Sequence, residues 1–209
     1  MKLELVYWNV PFWRAETSRL ALFIGGVDFE DVRPNREEYF AMKASGVLPF
    51  GQLPIMRVDG EAIGQTAGIA RFCGKLSGLY PTENHLEAAR VDQVLDAATD
   101  ITSQLSPTMR VKDLEQKVQQ RAALAADTLP RWLGYLESLL QANEGSGYFV
   151  GSSLTVADLA IWRMMGWLTG GILDGIPRDL MDGFPGLTRH YRAVDSLPKV
   201  REWMDAHYG

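Results

Sequence analysis

Two groups of residues in the first third of the chain could do chemistry: Tyr7 with Arg14, and the stretch from Pro49 to Arg71. Tyr7 ends a strand-like alternation that begins at Leu3, and βαβ sheets place ligands at the carboxyl ends of their strands. Arg14 opens the next helix and adds positive charge there. The pair could stabilise a bound anion. A structural tyrosine and a surface arginine are the alternatives.

The stretch from Pro49 to Arg71 has features of a peptide-binding site. Pro54 restricts Leu53 to extended geometry, so Leu53 can offer its own N–H and C=O to a strand-like ligand. Asp59-Gly60 predicts a two-residue hairpin turn. Gln65 and Thr66 place an amide, a hydroxyl and free backbone N–H groups at a helix N-terminus, which favours a carboxylate; helix capping is their simpler role. A small peptide with a free carboxylate would fit both ends.

The elements that position these residues follow the order β-α-β-α-β-β-α over about 75 residues. The first half predicts a parallel βαβ unit and the second an antiparallel hairpin. Helical patterns are predicted from Arg14 to Gly25, from Arg36 to Ala44 and from Gln65 onward. A strand is predicted from Asp28 to Arg33.

The rest of the chain predicts only helices. A capping box at Thr155 and Asp158 starts an almost wholly apolar helix, which belongs at the centre of a helical domain. The other predicted helices are Leu86–Leu105, Asp113–Gln141 with a kink at Pro130, and two shorter ones near 184–194 and 198–207.

Composition limits the possible partners. A net charge of −5 with no basic run argues against nucleic acid and anionic membranes. The uncharged run Met164–Leu173 holds ten residues, against about 20 needed to span a bilayer. No targeting segment is visible, and the single cysteine, Cys73, fits a reducing compartment, so a cytoplasmic protein is expected. The three histidines show no metal-ligand spacing, and no metal is expected.

The motifs VYWN, RAETSR, PFGQLP, VDG, GQTAGIAR, VDQVLDAATD and SLTVADLAIW together resemble the cytosolic glutathione transferase family over essentially the whole chain. The resemblance implies a thioredoxin-like α/β domain that binds glutathione (residues 1–78), a linker (79–86) and an all-α domain (87–209) that shapes a cleft for an apolar cosubstrate. It also implies a homodimer. The Tyr7 and Arg14 arrangement looks most like the sigma class.

The resemblance also implies roles for individual residues. Leu53 should bond the cysteinyl backbone of glutathione, with Pro54 cis; Gln65 and Thr66 should hold the γ-glutamyl carboxylate. Asp100 should reach the γ-glutamyl ammonium across the dimer, with a solvated acidic stripe as the alternative. The other positions that match glutathione-binding residues are Trp13, Tyr39, Lys43 and Gln52.

The residues that form the cosubstrate pocket are the least certain part of the resemblance to the family. The loop NVPFW is one residue longer than the family pattern, which could move Trp13 and Arg14. Apolar walls are expected from Phe12, Trp13, Leu105 and Met109, although such residues more often only pack.

The predicted function is a glutathione transferase: Tyr7 stabilises the glutathione thiolate, which attacks an apolar electrophile. An isomerase or peroxidase using the same thiolate, such as a prostaglandin-type isomerase, is the alternative within enzymes. A non-catalytic ligand carrier or structural relative is the other alternative. A thiol-disulfide oxidoreductase is disfavoured because it would want a cysteine near Tyr7.

Overall fold

The computed structural model describes residues 1–143 and 145–209. Its first part alternates strands and helices, and its second part contains helices, as the sequence predicts. The elements are β1 (Leu3–Val6), α1 (Trp13–Ile24), β2 (Glu30–Val32), α2 (Arg36–Ala44), β3 (Ile55–Val58), β4 (Glu61–Gly64), α3 (Thr66–Ser77), α4 (His85–Leu105), α5 (Leu114–Ala123), α6 (Leu129–Ala142), α7 (Val156–Thr169), α8 (Pro185–Asp195) and α9 (Pro198–Tyr208).

The four strands form one mixed sheet in the order β2-β1-β3-β4. β1 and β2 are parallel, and β3 runs antiparallel to both β1 and β4. The hairpin turn is made by Asp59 and Gly60, whose φ angles of 50° and 95° are the positive values that a two-residue turn requires. The predicted βαβ unit with an added hairpin, and the thioredoxin-like fold class, are confirmed.

The long helix predicted from Asp113 to Gln141 is not continuous. It is divided by a π-helical turn from Leu124 to Thr128, so that α5 and α6 are separate segments. Pro130, at the second position of α6, has no N–H to give to the preceding turn. The expected kink is therefore a five-residue turn just before the proline.

The helix that the capping box starts lies at the centre of the molecule. The Thr155 side chain accepts the N3 backbone N–H of α7, and the Asp158 carboxylate accepts the N–H of Thr155 at 2.8 Å. α7 packs against α1, α4 and α8. Nearly every residue of α7 is buried, because the helix lies between α1 of the sheet-bearing part and α4 and α8 of the helical part.

Candidate active site

A cleft of about 410 Å³ lies between the end of β1 and the helical part of the chain. Two of the predicted groups, the phenol of Tyr7 and the guanidinium of Arg14, meet there. The lining comes from the β1–α1 loop, the first turn of α1, α2, the segment before β3, α4, the 3₁₀ turn Ser106–Arg110 and α7. The lining residues are Tyr7, Trp8, Phe12, Arg14, Tyr39, Gln52, Leu53, Thr102, Ser106, Met109 and Trp167.

The Tyr7 hydroxyl is available to donate a hydrogen bond to a ligand bound in the cleft. Its backbone N–H donates to Val32 at 3.0 Å, which holds it beside the sheet directly after β1. Burial raises the pKa of the Tyr7 phenol to about 12, while Arg14 and Arg19 act to lower it and Glu16 to raise it. Within residues 1–143 and 145–209, no protein group forms a hydrogen bond with the hydroxyl. The phenol is therefore protonated at neutral pH and free to donate.

Arg14 supplies the positive charge of the cleft. It is the second residue of α1, and its guanidinium lies 5.9 Å from the centre of the Phe12 ring. In the described part of the chain, no carboxylate lies within ion-pair distance of it. A cation that lacks an acidic partner and faces the cleft is available to a bound anion.

The segment before β3 offers a backbone edge to the cleft. The Leu53-Pro54 peptide bond is cis, as predicted. Leu53 lies two residues before Ile55, where the paired register with β1 begins, so Leu53 itself lies outside the sheet ladder. Gln52 lines the cleft beside it and is exposed. The backbone of Leu53, which extends beyond the paired part of β3, can bond the main chain of an extended ligand.

α2 and the turn before Leu53 form the neighbouring wall. The Tyr39 hydroxyl donates to the Gly51 carbonyl at 3.2 Å, and its ring lies 4.9 Å from that of Trp8. Lys43 is exposed and lies beside the same Gly51 turn. Tyr39 lines the cleft, whereas Lys43 lies next to its rim.

Gln65 has a backbone conformation that is rare for a residue other than glycine. It precedes α3 with a φ of 71°, and its side chain makes no capping hydrogen bond. A non-glycine residue at positive φ costs about 1–3 kcal/mol and persists where the surroundings require it. Thr66 follows as the first residue of α3, while Asp100 lies exposed on α4. None of these three residues lines the cleft of the single chain.

Trp13 and Leu105 do not take the places expected of them. Both are fully buried, and the Trp13 indole N–H donates to Thr102 Oγ1 at 2.8 Å, so both belong to the core. The alternative of simple packing therefore describes both residues, and Trp13 has no exposed surface with which to contact glutathione. Phe12, which precedes α1, faces the cleft instead, with its ring 4.9 Å from that of Trp167.

Four lining residues were not found from the sequence: Trp8, Thr102, Ser106 and Trp167. Trp8 stands next to Tyr7 in the VYWN motif, which was a usable signal. Ser106 follows Thr102 by four residues, directly after the end of α4. Trp167 lies near the end of an apolar helix, where nothing distinguishes one aromatic residue from another.

A buried arginine supports the far wall of the cleft. Arg121 on α5 donates to Thr108 Oγ1 at 3.0 Å, to the Asp174 carbonyl at 3.4 Å and to the Met109 sulfur at 3.1 Å. Met109 thus keeps its position at the mouth of the cleft although its side chain is half exposed. The α7–α8 connection, α5 and the 3₁₀ turn are joined at this point.

Other chemistry is not supported by the described residues. Cys73 is buried, and burial raises the pKa of its thiol to about 12, so it lacks the thiolate character of a nucleophile. Across 1–143 and 145–209, no cluster of three acidic, histidine or cysteine side chains is arranged to hold a metal ion. No helix in the same ranges is long and apolar enough to cross a membrane.

Known proteins resemble this chain in both fold and sequence. The family model "Glutathione S-transferase, C-terminal domain" matches residues 99–207. Glutathione S-transferase 1 of Ascaris suum is 35% identical over 208 residues, which cover 96% of this chain and 94% of that protein. Prostaglandin synthase D of Nilaparvata lugens superposes with a TM-score of 0.84 at 27% identity, covering 98% of each chain. The glutathione S-transferase Na-GST-3 of Necator americanus, described as monomeric, superposes with a TM-score of 0.82 at 28% identity, covering 100% of this chain and 98% of that one.

The fold and the cleft thus define a thioredoxin-like domain joined to a helical domain, with a ligand site between them. The chain belongs to the glutathione S-transferase family.

Proposed function

We propose that the chain is a glutathione transferase in which the Tyr7 hydroxyl donates a hydrogen bond to the glutathione thiolate. The observation that carries the proposal is a protonated phenol without a hydrogen-bond partner among the described residues, in one cleft with Arg14 and the backbone of Leu53. Lowering a thiol pKa by two units requires about 2.7 kcal/mol in favour of the charged form. One hydrogen bond to an ion supplies about 1.5–3 kcal/mol. Tyr7 can therefore supply most of the effect, with Arg14 adding electrostatic support.

The rest of glutathione is held by α2 and by the segment from Gln52 to Thr66. The main chain of Leu53 bonds the cysteinyl residue, and Tyr39, Lys43 and Gln52 receive the glycyl end. Gln65 and Thr66 hold the γ-glutamyl carboxylate at the start of α3, which the positive φ of Gln65 supports. Trp8 replaces Trp13 in this set because Trp8 lines the cleft.

We infer a cytoplasmic homodimer with glutathione as cosubstrate and no metal. Phe50 supports the dimer, since 61% of this large apolar side chain is exposed on the turn before Leu53. Asp100, exposed on α4, reaches the γ-glutamyl ammonium bound to the partner subunit. Residues 1–78 form the glutathione-binding domain, 79–86 the linker and 87–209 the helical domain. The Tyr7 and Arg14 arrangement favours the sigma class.

The cosubstrate is an apolar electrophile that lies between Phe12, Trp167 and Met109. Aromatic faces and a flexible thioether suit a planar, apolar molecule. A second candidate function is a glutathione-dependent isomerase, which the structural likeness to a prostaglandin synthase supports. Assays with an aryl halide and with an endoperoxide distinguish the two reactions.

Tyr7→Phe tests the proposal directly. Glutathione affinity should stay near that of the wild type, while the apparent pKa of the bound thiol, read from kcat/KM against pH with an aryl halide, should rise by about 1–2 units. Tyr135→Phe is the matched control because Tyr135 is exposed on α6, away from the cleft. An unchanged pH profile in Tyr7→Phe would remove Tyr7 from this role.

A further inference from the structure

A fully buried arginine lies directly behind the strand end that carries Tyr7. Arg19, on α1, has no exposed side-chain surface. Its Nη2 group donates to the carbonyls of Tyr7 at 3.5 Å and Trp8 at 3.3 Å. β1 ends at Val6, so these two carbonyls belong to residues that leave the sheet. Arg19 therefore contacts the backbone from which the phenol projects through two long hydrogen bonds, while the N–H of Tyr7 donates to the Val32 carbonyl.

The orientation of Arg19 is set by two carboxylates. Its Nε donates to Asp31 Oδ1 at 2.8 Å, and its Nη1 donates to Glu16 Oε1 at 2.6 Å. Asp31 is fixed in turn by Arg33, whose Nε lies 2.8 Å from Oδ2. A planar guanidinium with several occupied donors has little freedom to rotate. Its position therefore depends on what fixes Glu16.

Glu16 is fixed by the last helix, α9. The Tyr208 hydroxyl donates to Glu16 Oε1 at 2.7 Å, and the Trp203 indole N–H donates to Glu16 Oε2 at 3.0 Å. Both glutamate oxygens thus have a donor from α9 although more than 180 residues separate the partners. Arg19 Nη1 also lies 3.2 Å from the Tyr208 oxygen. The contacts run without a break from α9 through Glu16 and Arg19 to the backbone of Tyr7.

We propose that Tyr208 and Trp203 are positioning residues for the Tyr7 hydroxyl and act on it through Glu16 and Arg19. The proposal rests on the role of Tyr7 in thiolate binding. Neither α9 residue lines the cleft, so neither touches glutathione or the electrophile. Loss of either contact lets the guanidinium turn, which moves the Tyr7 backbone and lengthens the hydrogen bond from the phenol to sulfur. A displacement well below 1 Å is enough to weaken such a bond.

A shift of the thiol pKa could also come from a lost charge, so the variant must leave every nearby charge in place. The charged groups that face Tyr208 are Glu16 and Arg19 from α1, Arg33 after β2 and Arg163 from α7. Tyr208→Phe removes only a hydroxyl and leaves all four charges in place. Any change in the thiol pKa then reports geometry and not a lost charge.

The test compares Tyr208→Phe with Tyr135→Phe by measuring kcat/KM for an aryl halide against pH, with glutathione at a saturating concentration. We expect Tyr208→Phe to raise the apparent thiol pKa by about half a unit, which is about a threefold loss of rate below that pKa. Tyr135→Phe should leave the profile at its wild-type position. Trp203→Phe should shift the profile in the same direction as Tyr208→Phe and serves as the second variant.

The double variant Tyr7→Phe/Tyr208→Phe separates this inference from the proposed function. If α9 acts through Tyr7, the double variant should have the same thiol pKa as Tyr7→Phe alone. A Tyr208→Phe enzyme that melts at a lower temperature but keeps the wild-type profile would overturn the inference and make α9 a purely structural element. Additive shifts in the double variant would overturn it as well. No shift in Tyr7→Phe itself would instead overturn the proposed function.

Discussion

Two buried carboxylates on helices, Glu16 and Asp158, obtain their hydrogen bonds from different kinds of donor. Asp158 on α7 accepts from neutral donors, namely the backbone N–H groups of Phe149 and Thr155 and the Thr155 hydroxyl, and it lies 3.0 Å from His190. Glu16 on α1 pairs with the buried cation Arg19 and with two donors from α9. Asp158 closes a loop onto the helical core. Glu16 joins distant elements behind Tyr7.

The difference indicates what each carboxylate does for the molecule. None of the groups that contact the Asp158 carboxylate lines the cleft, so its hydrogen bonds act on the stability of the fold. A buried ion pair is a weak source of stability because desolvation offsets the attraction, but its directional bonds fix one arrangement of side chains. We therefore expect changes at Asp158 to affect unfolding, and changes around Glu16 to affect the pH profile of catalysis.

The largest effect is expected from Asp158→Ala. Removing the carboxylate leaves two buried N–H groups and a hydroxyl without acceptors, so the free energy of unfolding should fall by about 3–5 kcal/mol. The folded fraction should keep the wild-type thiol pKa. Urea denaturation and the pH profile measure the two quantities, and a shifted profile would contradict the division of roles.

Arg19→Lys should have a smaller effect on stability and a larger one on catalysis. The lysine keeps the positive charge but cannot reach Asp31, Glu16 and the two carbonyls at once. We expect the free energy of unfolding to fall by about 2 kcal/mol and the apparent thiol pKa to rise by about one unit. A stability loss with an unmoved thiol pKa would place Arg19 in the same class as Asp158.

Tyr7 itself should make stability depend on alkaline pH. Its folded-state pKa, raised by burial to about 12, exceeds the ordinary value near 10, so its contribution is fully present below pH 10 and is lost as pH rises towards 12. Between pH 9 and pH 11 the wild type should lose about 1.4 kcal/mol relative to Tyr7→Phe. Urea denaturation of both proteins at the two pH values checks this sign, and a constant difference would contradict it.

The smallest effect is expected at an exposed acidic cluster. Arg71 pairs with Asp92 at 2.6 Å and with Asp96 at 3.3 Å, and all three side chains are partly solvated. Solvent screens such pairs, so Arg71→Met should lower the free energy of unfolding by at most about 1 kcal/mol, as measured by thermal melting in low salt. A loss as large as that of Asp158→Ala would show that the exposure of an ion pair does not predict its contribution to stability in this molecule.

The sequence predicted most of the fold because its local signals agree with one another. The capping box at Thr155, the Asp59-Gly60 turn and the apolar periodicity of α4 each name an element, and each element forms where it was expected. The π turn before Pro130 was missed because a proline in a helical pattern does not specify which distortion will absorb its missing N–H.

The candidate site was only partly predictable. Tyr7, Arg14 and Leu53 follow from motifs, and the structure brings all three to one cleft. Phe12 and Trp13 are adjacent aromatic residues, and only the turn before α1 decides which of them faces the cleft. The contacts of Glu16 with Tyr208 cross nearly the whole chain, and no local pattern reports such a pairing.

The support of Met109 by Arg121 has a consequence for the range of compounds the enzyme can accept. The phenol side of the cleft depends on interlocked bonds, so few substitutions there will be tolerated. The opposite side ends in an unbranched, half-exposed thioether that a single contact to its sulfur holds, and its rotatable bonds suit it to ligands of different shape. New chemical preferences should therefore arise by replacement of this one adaptable side chain, while the residues around Tyr7 stay unchanged.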